Sequence, residues 1–302
     1  MALAYPLQRF QDWFTQQWVI LWGRRLEPKD HPWLIGPFGS LKGTGIDFVT
    51  KLAEAEGLII ERENRSSGLI PATEALDLSP QEAAALSPHV ARFYTNTADY
   101  ELNLSVKWNP FFRPFGILLN WLFSSRLDQL NIPTKDGNKA GTIASEIITL
   151  IDPLSQSVKY TIWLRTSETT GQTVYAGAYG TCRLPSGKVC IKAVFPLPNG
   201  NATVILSPRI GENGELILES SGKRFGDAGF YFLLIDSKGN HWAQFIRSFR
   251  DRLSVIPKNG HLRAEQTLTL WHLTVVKFTY EIREKETRID TDRVAGNRIP
   301  QS

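Results

Sequence analysis

From Thr142 onward, short apolar runs recur roughly every 8 to 15 residues with turn-forming residues between them, and this rhythm constrains the fold more than any other feature. It is the spacing of an antiparallel meander. Candidate strands are Ile143–Ile151, Tyr160–Arg165, Thr173–Cys182, Lys188–Phe195, Ala202–Ser207, Glu215–Glu219 and Phe230–Ile235, with turns at Pro185-Ser186-Gly187, Asn199-Gly200 and Asn213-Gly214. An earlier run, Tyr100–Trp108, alternates apolar with polar residues and reads as a half-buried strand. A long hairpin, Leu262–Leu270 and Leu273–Ile282, closes the pattern. A meander of this many strands must close or cover its edges, so a barrel or a curved half-barrel is expected. Phe230–Ile235 is apolar on both faces, which requires cover on both sides, a barrel interior on one and helices on the other.

Upstream the period changes. Leu7, Phe10, Phe14, Trp18 and Leu21 recur at helical spacing and end at Arg24 and Arg25. A further helix is expected from Ile46 to Glu56, and a short strand over Leu58–Arg62. Ser79-Pro80-Gln81-Glu82 carries a capping-box signature, and Ser87-Pro88 repeats the cap-and-proline start. Two more helices are expected at about 114–130, which is very apolar, and at about 241–256, where Trp242, Phe245, Ile246, Phe249 and Leu253 keep helical spacing. The expected fold is therefore α+β: an antiparallel β-meander forming a barrel or curved half-barrel, covered by N-terminal helices and a helix near the C-terminus. It divides into a mainly helical region over 1–98, a β scaffold over 99–284 and a flexible polar tail over 285–302.

The 302 residues are 42% hydrophobic and 11% aromatic, enough for a sizeable core and incompatible with disorder. The net charge of +4 comes from interspersed residues, with no basic stripe for nucleic acid. Neither a signal peptide nor a run of eighteen apolar residues is evident, so the expected compartment is the cytoplasm. The glycines of His31–Gly45 match neither a P-loop nor a dinucleotide fingerprint. The five histidines lack metal-ligand spacing, and two cysteines cannot build a four-cysteine zinc site. No cofactor or metal is expected. The Pro185-Ser186-Gly187 turn sets Cys182 opposite Cys190, as two buried thiols or a redox-labile pair.

That register places Tyr175, Tyr179, Ile191 and Phe195 on one face of the hairpin. The other face carries Ala176, Ala178, Gly180, Cys190, Lys192 and Val194, and its small residues leave room for a docked helix or a ligand. Lys192 belongs to that space or faces solvent. The glycine-rich loop Gly222–Gly229 carries Arg224 and Asp227, which could hold an anionic headgroup or form a surface ion pair. Gln266 is the one polar residue in the apolar register of Leu262–Leu270. The leading functional expectation is a protein binding a small hydrophobic molecule, lipid-like, isoprenoid or aromatic, with Tyr175, Tyr179, Lys192, Arg224 and Gln266 as ligand contacts. The alternatives are a metal-independent enzyme acting on such a ligand through Lys192, Arg224 and Asp227, and a peripheral membrane or interaction protein using its Trp-rich N-terminal helix.

Overall fold

A computed structural model of the chain describes residue 4 and residues 10–39, 46–62, 67–112, 142–169 and 171–285. The expected helix at 114–130 and residues 286–302 of the expected tail lie outside these. The elements are α1 (Phe10–Trp22), β1 (Arg24–Leu26), α2 (Ile46–Glu56), β2 (Ile59–Glu61), α3 (Pro80–Ala85), α4 (Pro88–Thr95), β3 (Tyr100–Trp108), β4 (Thr142–Ile151), β5 (Val158–Ser167), β6 (Thr173–Arg183), β7 (Val189–Leu197), β8 (Gly200–Ile210), β9 (Leu216–Glu219), β10 (Phe230–Ile235), β11 (His241–Phe245), β12 (Phe249–Lys258), β13 (His261–Leu270) and β14 (Leu273–Glu284).

The fold is α+β and its scaffold is a closed barrel. Ten antiparallel strands, β3 to β9 and β12 to β14, follow one another around a ring that the pairing of β8 with β9 completes. Closure leaves no free edge within the ring. The length of β8 makes a branch possible: its first half, Gly200–Val204, pairs with β10, and its second half, Ser207–Ile210, pairs with β9. From that branch β10, β11 and β1 extend as a flap outside the ring.

Local chemistry explains these pieces. Gly187 has φ +86°, the left-handed conformation that the β6–β7 turn requires, and the resulting register sets Cys182 opposite Cys190. Both cysteines are buried and free, and burial pushes the Cys182 thiol up to about 11 and Cys190 to about 12. Ser79 Oγ accepts from the Glu82 N–H while the Glu82 carboxylate accepts from the Ser79 N–H, completing the capping box of α3.

The residues expected to form a helix at about 241–256 are instead the strands β11 and β12, with Ile246, Arg247 and Ser248 between them. Phe249, Asp251, Leu253 and Val255 share one face of β12, and the carboxylate at the second of these positions hides the two-residue period. The apolar residues that remain fall by chance at helical spacing. The barrel wall needs β12 to join β9 to β13, and that pairing overrides the local pattern.

The helices cover what the strands leave open. Phe48, Val49, Leu52 and Ala53 of α2 pack on the outer wall against Ala176, Ala178 and Val194, so the small-residue face receives a docked helix. Helix α4 closes one end of the barrel, its Phe93 ring meeting Tyr100 at 5.3 Å and Trp163 at 6.4 Å. Helix α1 sits on the flap, where Val19 and Ile20 bury against Leu234. The strand β10 is covered on both faces as expected, but its covers are α1 on one side and the segment around Trp33 and Leu34 on the other.

Candidate functional site

Tracing side-chain parity through the paired strands assigns barrel residues to the inner or outer face, apart from those at the register shifts after Leu150, Arg165 and Leu268. The pairs Thr161↔Tyr179, Tyr179↔Ala193 and Ala193↔Val204 continue through Pro208↔Leu218, Leu218↔Leu253, Leu253↔Gln266, Gln266↔Phe278 and Phe278↔Val106. Most inner positions are apolar. Ser145, Arg165, Tyr175, Tyr179, Asp251, Gln266 and Tyr280 are the chief exceptions, and together they form a polar belt inside the barrel.

Arg165 is the centre of this belt, at 7% exposure. Its guanidinium carbon lies 4.2 Å from the Trp163 ring centroid and 4.5 Å from that of Tyr175, and one of its N–H groups donates to the Tyr179 hydroxyl at 2.9 Å. Trp163 is itself held by an indole N–H donated to Ser145 Oγ at 2.8 Å. No carboxylate pairs with Arg165 among the described residues, and its Nε has no hydrogen-bond partner. Burial raises the hydroxyl pKa values of Tyr175 and Tyr179, and that of Tyr280 to about 12, while the Arg165 charge beside all three opposes the rise. These hydroxyls are neutral donors at physiological pH.

Asp251 lies on the same inner surface, 6% exposed. Burial pushes its carboxyl up to about 7, although Gln266 Nε2 donates to its Oδ2 at 2.8 Å and opposes that rise. A carboxyl poised there can hold or release a proton near neutrality, the property expected of a general acid or base. Seven buried side-chain polar atoms lack a hydrogen-bond partner among the described residues, and three of them, Arg165 Nε, Asp251 Oδ1 and the Tyr280 hydroxyl, belong to this interior. Native interiors rarely leave such atoms unpaired, so their concentration in one place marks the site.

The interior is not packed to uniform density. Tyr175, Tyr179, Phe195, Leu253, Gln266 and Leu268 point inward from a closed wall yet all keep accessible surface. Gly177 contributes to this geometry, because a Cβ there would meet the Phe195 ring at 3.0 Å. Beside the β6–β7 turn, a cleft of about 290 Å3 is lined by Glu74, Ala75 and Asp77 and by Thr181, Arg183 and Val189 of inward parity, and Asp77 and Arg183 already pair with each other at 3.1 Å.

The structure brings three of the sequence-derived candidates together, Tyr175, Tyr179 and Gln266, all on the inner surface. The rest lie away from that surface, with Arg224 and Asp227 forming a surface ion pair at 3.9 Å. Lys192 is on the outer wall and donates to the Ile35 carbonyl at 2.8 Å, with burial lowering its pKa. Arg224 is on the surface with an 88% exposed side chain, and Asp227 accepts from the Lys223 and Arg224 backbone N–H groups, which shapes their loop. Arg165 and Asp251 are absent from the sequence-derived set. Arg165 had a readable signal, since Ile162, Trp163 and Leu164 make both faces of its strand apolar and leave an arginine there no route to solvent. Asp251 had none while its segment read as a helix. Among the described residues no three His, Cys, Asp or Glu side chains converge on a metal-sized site, and no helix is long and apolar enough to cross a membrane.

Fold and site together define a ten-stranded antiparallel barrel with a polar belt inside an aromatic-lined interior. The chain matches no protein-family model and no solved structure. It is 30% identical over 179 residues to a Bacillus subtilis (strain 168) protein named Uncharacterized membrane protein YndJ. The match covers 57% of this chain and 31% of that relative, so the chain corresponds to less than a third of the relative's length.

Proposed function

We propose that the protein binds a small, largely apolar molecule, lipid-like, isoprenoid or aromatic, inside the barrel. The observation that carries this reading is the accessible surface kept by inward-facing Tyr175, Phe195, Leu253 and Leu268. Apolar side chains lining a hollow that holds a few polar groups are the usual composition of a small-molecule site. Native mass spectrometry of freshly purified protein is expected to show a bound mass that organic extraction removes. A clean apo mass, with no adduct after incubation with long-chain and aromatic probes, would overturn the reading.

A second reading has its own observation. Helix α1 turns Phe14, Leu21 and Trp22 outward, each at least 60% exposed, while its other side holds the flap. An exposed aromatic helix face suits the interfacial zone of a bilayer, and the relative's name places that protein in a membrane. Flotation with vesicles of phosphatidylcholine and phosphatidylglycerol tests it. The double variant Leu21→Glu, Trp22→Glu is expected to stay at the bottom of the gradient while the wild type floats, and equal behaviour of the two would remove the proposed contact.

A further inference from the structure

The ligand-binding reading leaves open what the polar belt recognises, and the charge of Arg165 narrows the answer. A guanidinium at 7% exposure has lost most of its hydration, and among the described residues no carboxylate replaces it. An isolated buried charge costs several kcal/mol. The aromatic rings of Trp163 and Tyr175 offset part of that cost from the faces of the guanidinium. They leave the edge, where the N–H donors point: one donates to Tyr179, and the Nε–H has no partner. Water could accept from the Nε–H but would not neutralise the charge. An anion would do both.

Two features decide which anion. Arg183 shares the inward parity, but its side chain is 62% exposed at the barrel end and pairs with Asp77. Arg165 is the one buried lysine or arginine among the described inner-face residues, so one positive charge is on offer and a phosphate dianion would arrive with an excess of negative charge. Asp251 occupies the same surface and penalises that excess further. A carboxylate carries a single charge, and its two oxygens match the fork of guanidinium donors. The Tyr280 hydroxyl lies beside Arg165, which opposes the rise in its pKa, and its own O–H supplies a further donor.

We propose that the interior site takes an apolar monocarboxylic acid, its carboxylate on Arg165 and the Tyr280 hydroxyl and its apolar body against Tyr175, Phe195 and Leu253. This rests on the ligand-binding reading and adds the chemical class. Fatty and arylalkyl acids share that chemistry, so the test uses both. Affinities of the full chain are measured by native mass spectrometry and by calorimetry for dodecanoic acid against dodecan-1-ol, and for 4-phenylbutanoic acid against 4-phenylbutan-1-ol. In at least one pair the acid is expected to bind about tenfold more tightly than its alcohol, and Arg165→Gln is expected to bring that ratio below about threefold while the alcohol still binds. Equal affinity of acid and alcohol in both pairs overturns the carboxylate assignment and leaves the ligand-binding reading standing. Failure of all four probes overturns both. An acid preference that survives Arg165→Gln also overturns the assignment, and if that variant does not fold, the wild-type ratios decide alone.

Discussion

The two faces of the β6–β7 hairpin are built from alternate residues of the same strands, and they solve opposite problems. Outward, Ala176, Ala178 and Val194 are buried to 5% exposure or less under α2, and the one charged residue, Lys192, ends in a hydrogen bond to Ile35. Inward, Tyr175, Tyr179 and Phe195 keep accessible surface, and the neighbouring Arg165, Asp251 and Tyr280 each leave a buried polar atom unpaired. One face is finished by the protein's own chain. The other is complete as structure but incomplete as chemistry, which is the difference expected between a packing surface and a recognition surface.

The comparison can be broken most directly from outside. Phe48 is 2% exposed at the centre of the α2 contact, so Phe48→Ala is expected to cost about 3 to 5 kcal/mol in urea unfolding, with ligand affinity per folded molecule unchanged. Loss of affinity at intact stability would mean that the outer face takes part in recognition.

Asp251 tests the inner face next. Its folded pKa of about 7 lies above the ordinary value of 3.8, so the folded state holds the proton more tightly than the unfolded state. Stability is then greatest at low pH and falls as pH rises from about 4 through about 7, by up to about 4 kcal/mol. Asp251→Asn is expected to flatten this slope and to stabilise the protein above pH 7 by about 2 to 4 kcal/mol. Thermal melts between pH 5 and pH 8 check it, and an unchanged slope would place the titration elsewhere. Arg165, Gln266 and the three tyrosines are the charged and polar groups that share this surface, and none of the tyrosines titrates in that range.

Tyr179→Phe removes the hydroxyl that accepts from Arg165 and is expected to cost about 1 to 2 kcal/mol, read as a lower urea midpoint at constant slope. The smallest effect is expected at Lys192. Replacing it with Met gives up the bond to Ile35 but also removes a cation that burial disfavours, so stability should stay within about 1 kcal/mol of wild type. A larger loss would show that the outer lysine is as consequential as the inner arginine.

How much was legible in the sequence varied from element to element. Strands with apolar residues at every second position were found close to their observed bounds, and Gly187 reported its own turn and with it the Cys182↔Cys190 register. The period-two rule failed at β12 because Asp251 occupies an inward position. The residue that obscured the strand is a principal member of the site. Gln266 was visible for the converse reason, as a polar interruption of an otherwise apolar register, and the structure supplies its partner in Asp251.

The sequence by itself determined what is local: the alternation that makes strands, the turn residues that set hairpin registers, the capping box that starts α3 and the proline that starts α4, where Ser87 makes no side-chain cap, and the division of β6 and β7 into a bulky face and a bare one. The tertiary structure decided which face turned inward, because that depends on ring closure through β9 and β12, strands separated in the chain by β10 and β11 and joined by no turn signal. It also decided that Arg165, Asp251 and Tyr280, far apart in the chain, line one interior, while Lys192, next to inward-facing Ile191, belongs to the outside. Parity is read along one strand, but a site is assembled across several, and only closure of the barrel brings those strands together.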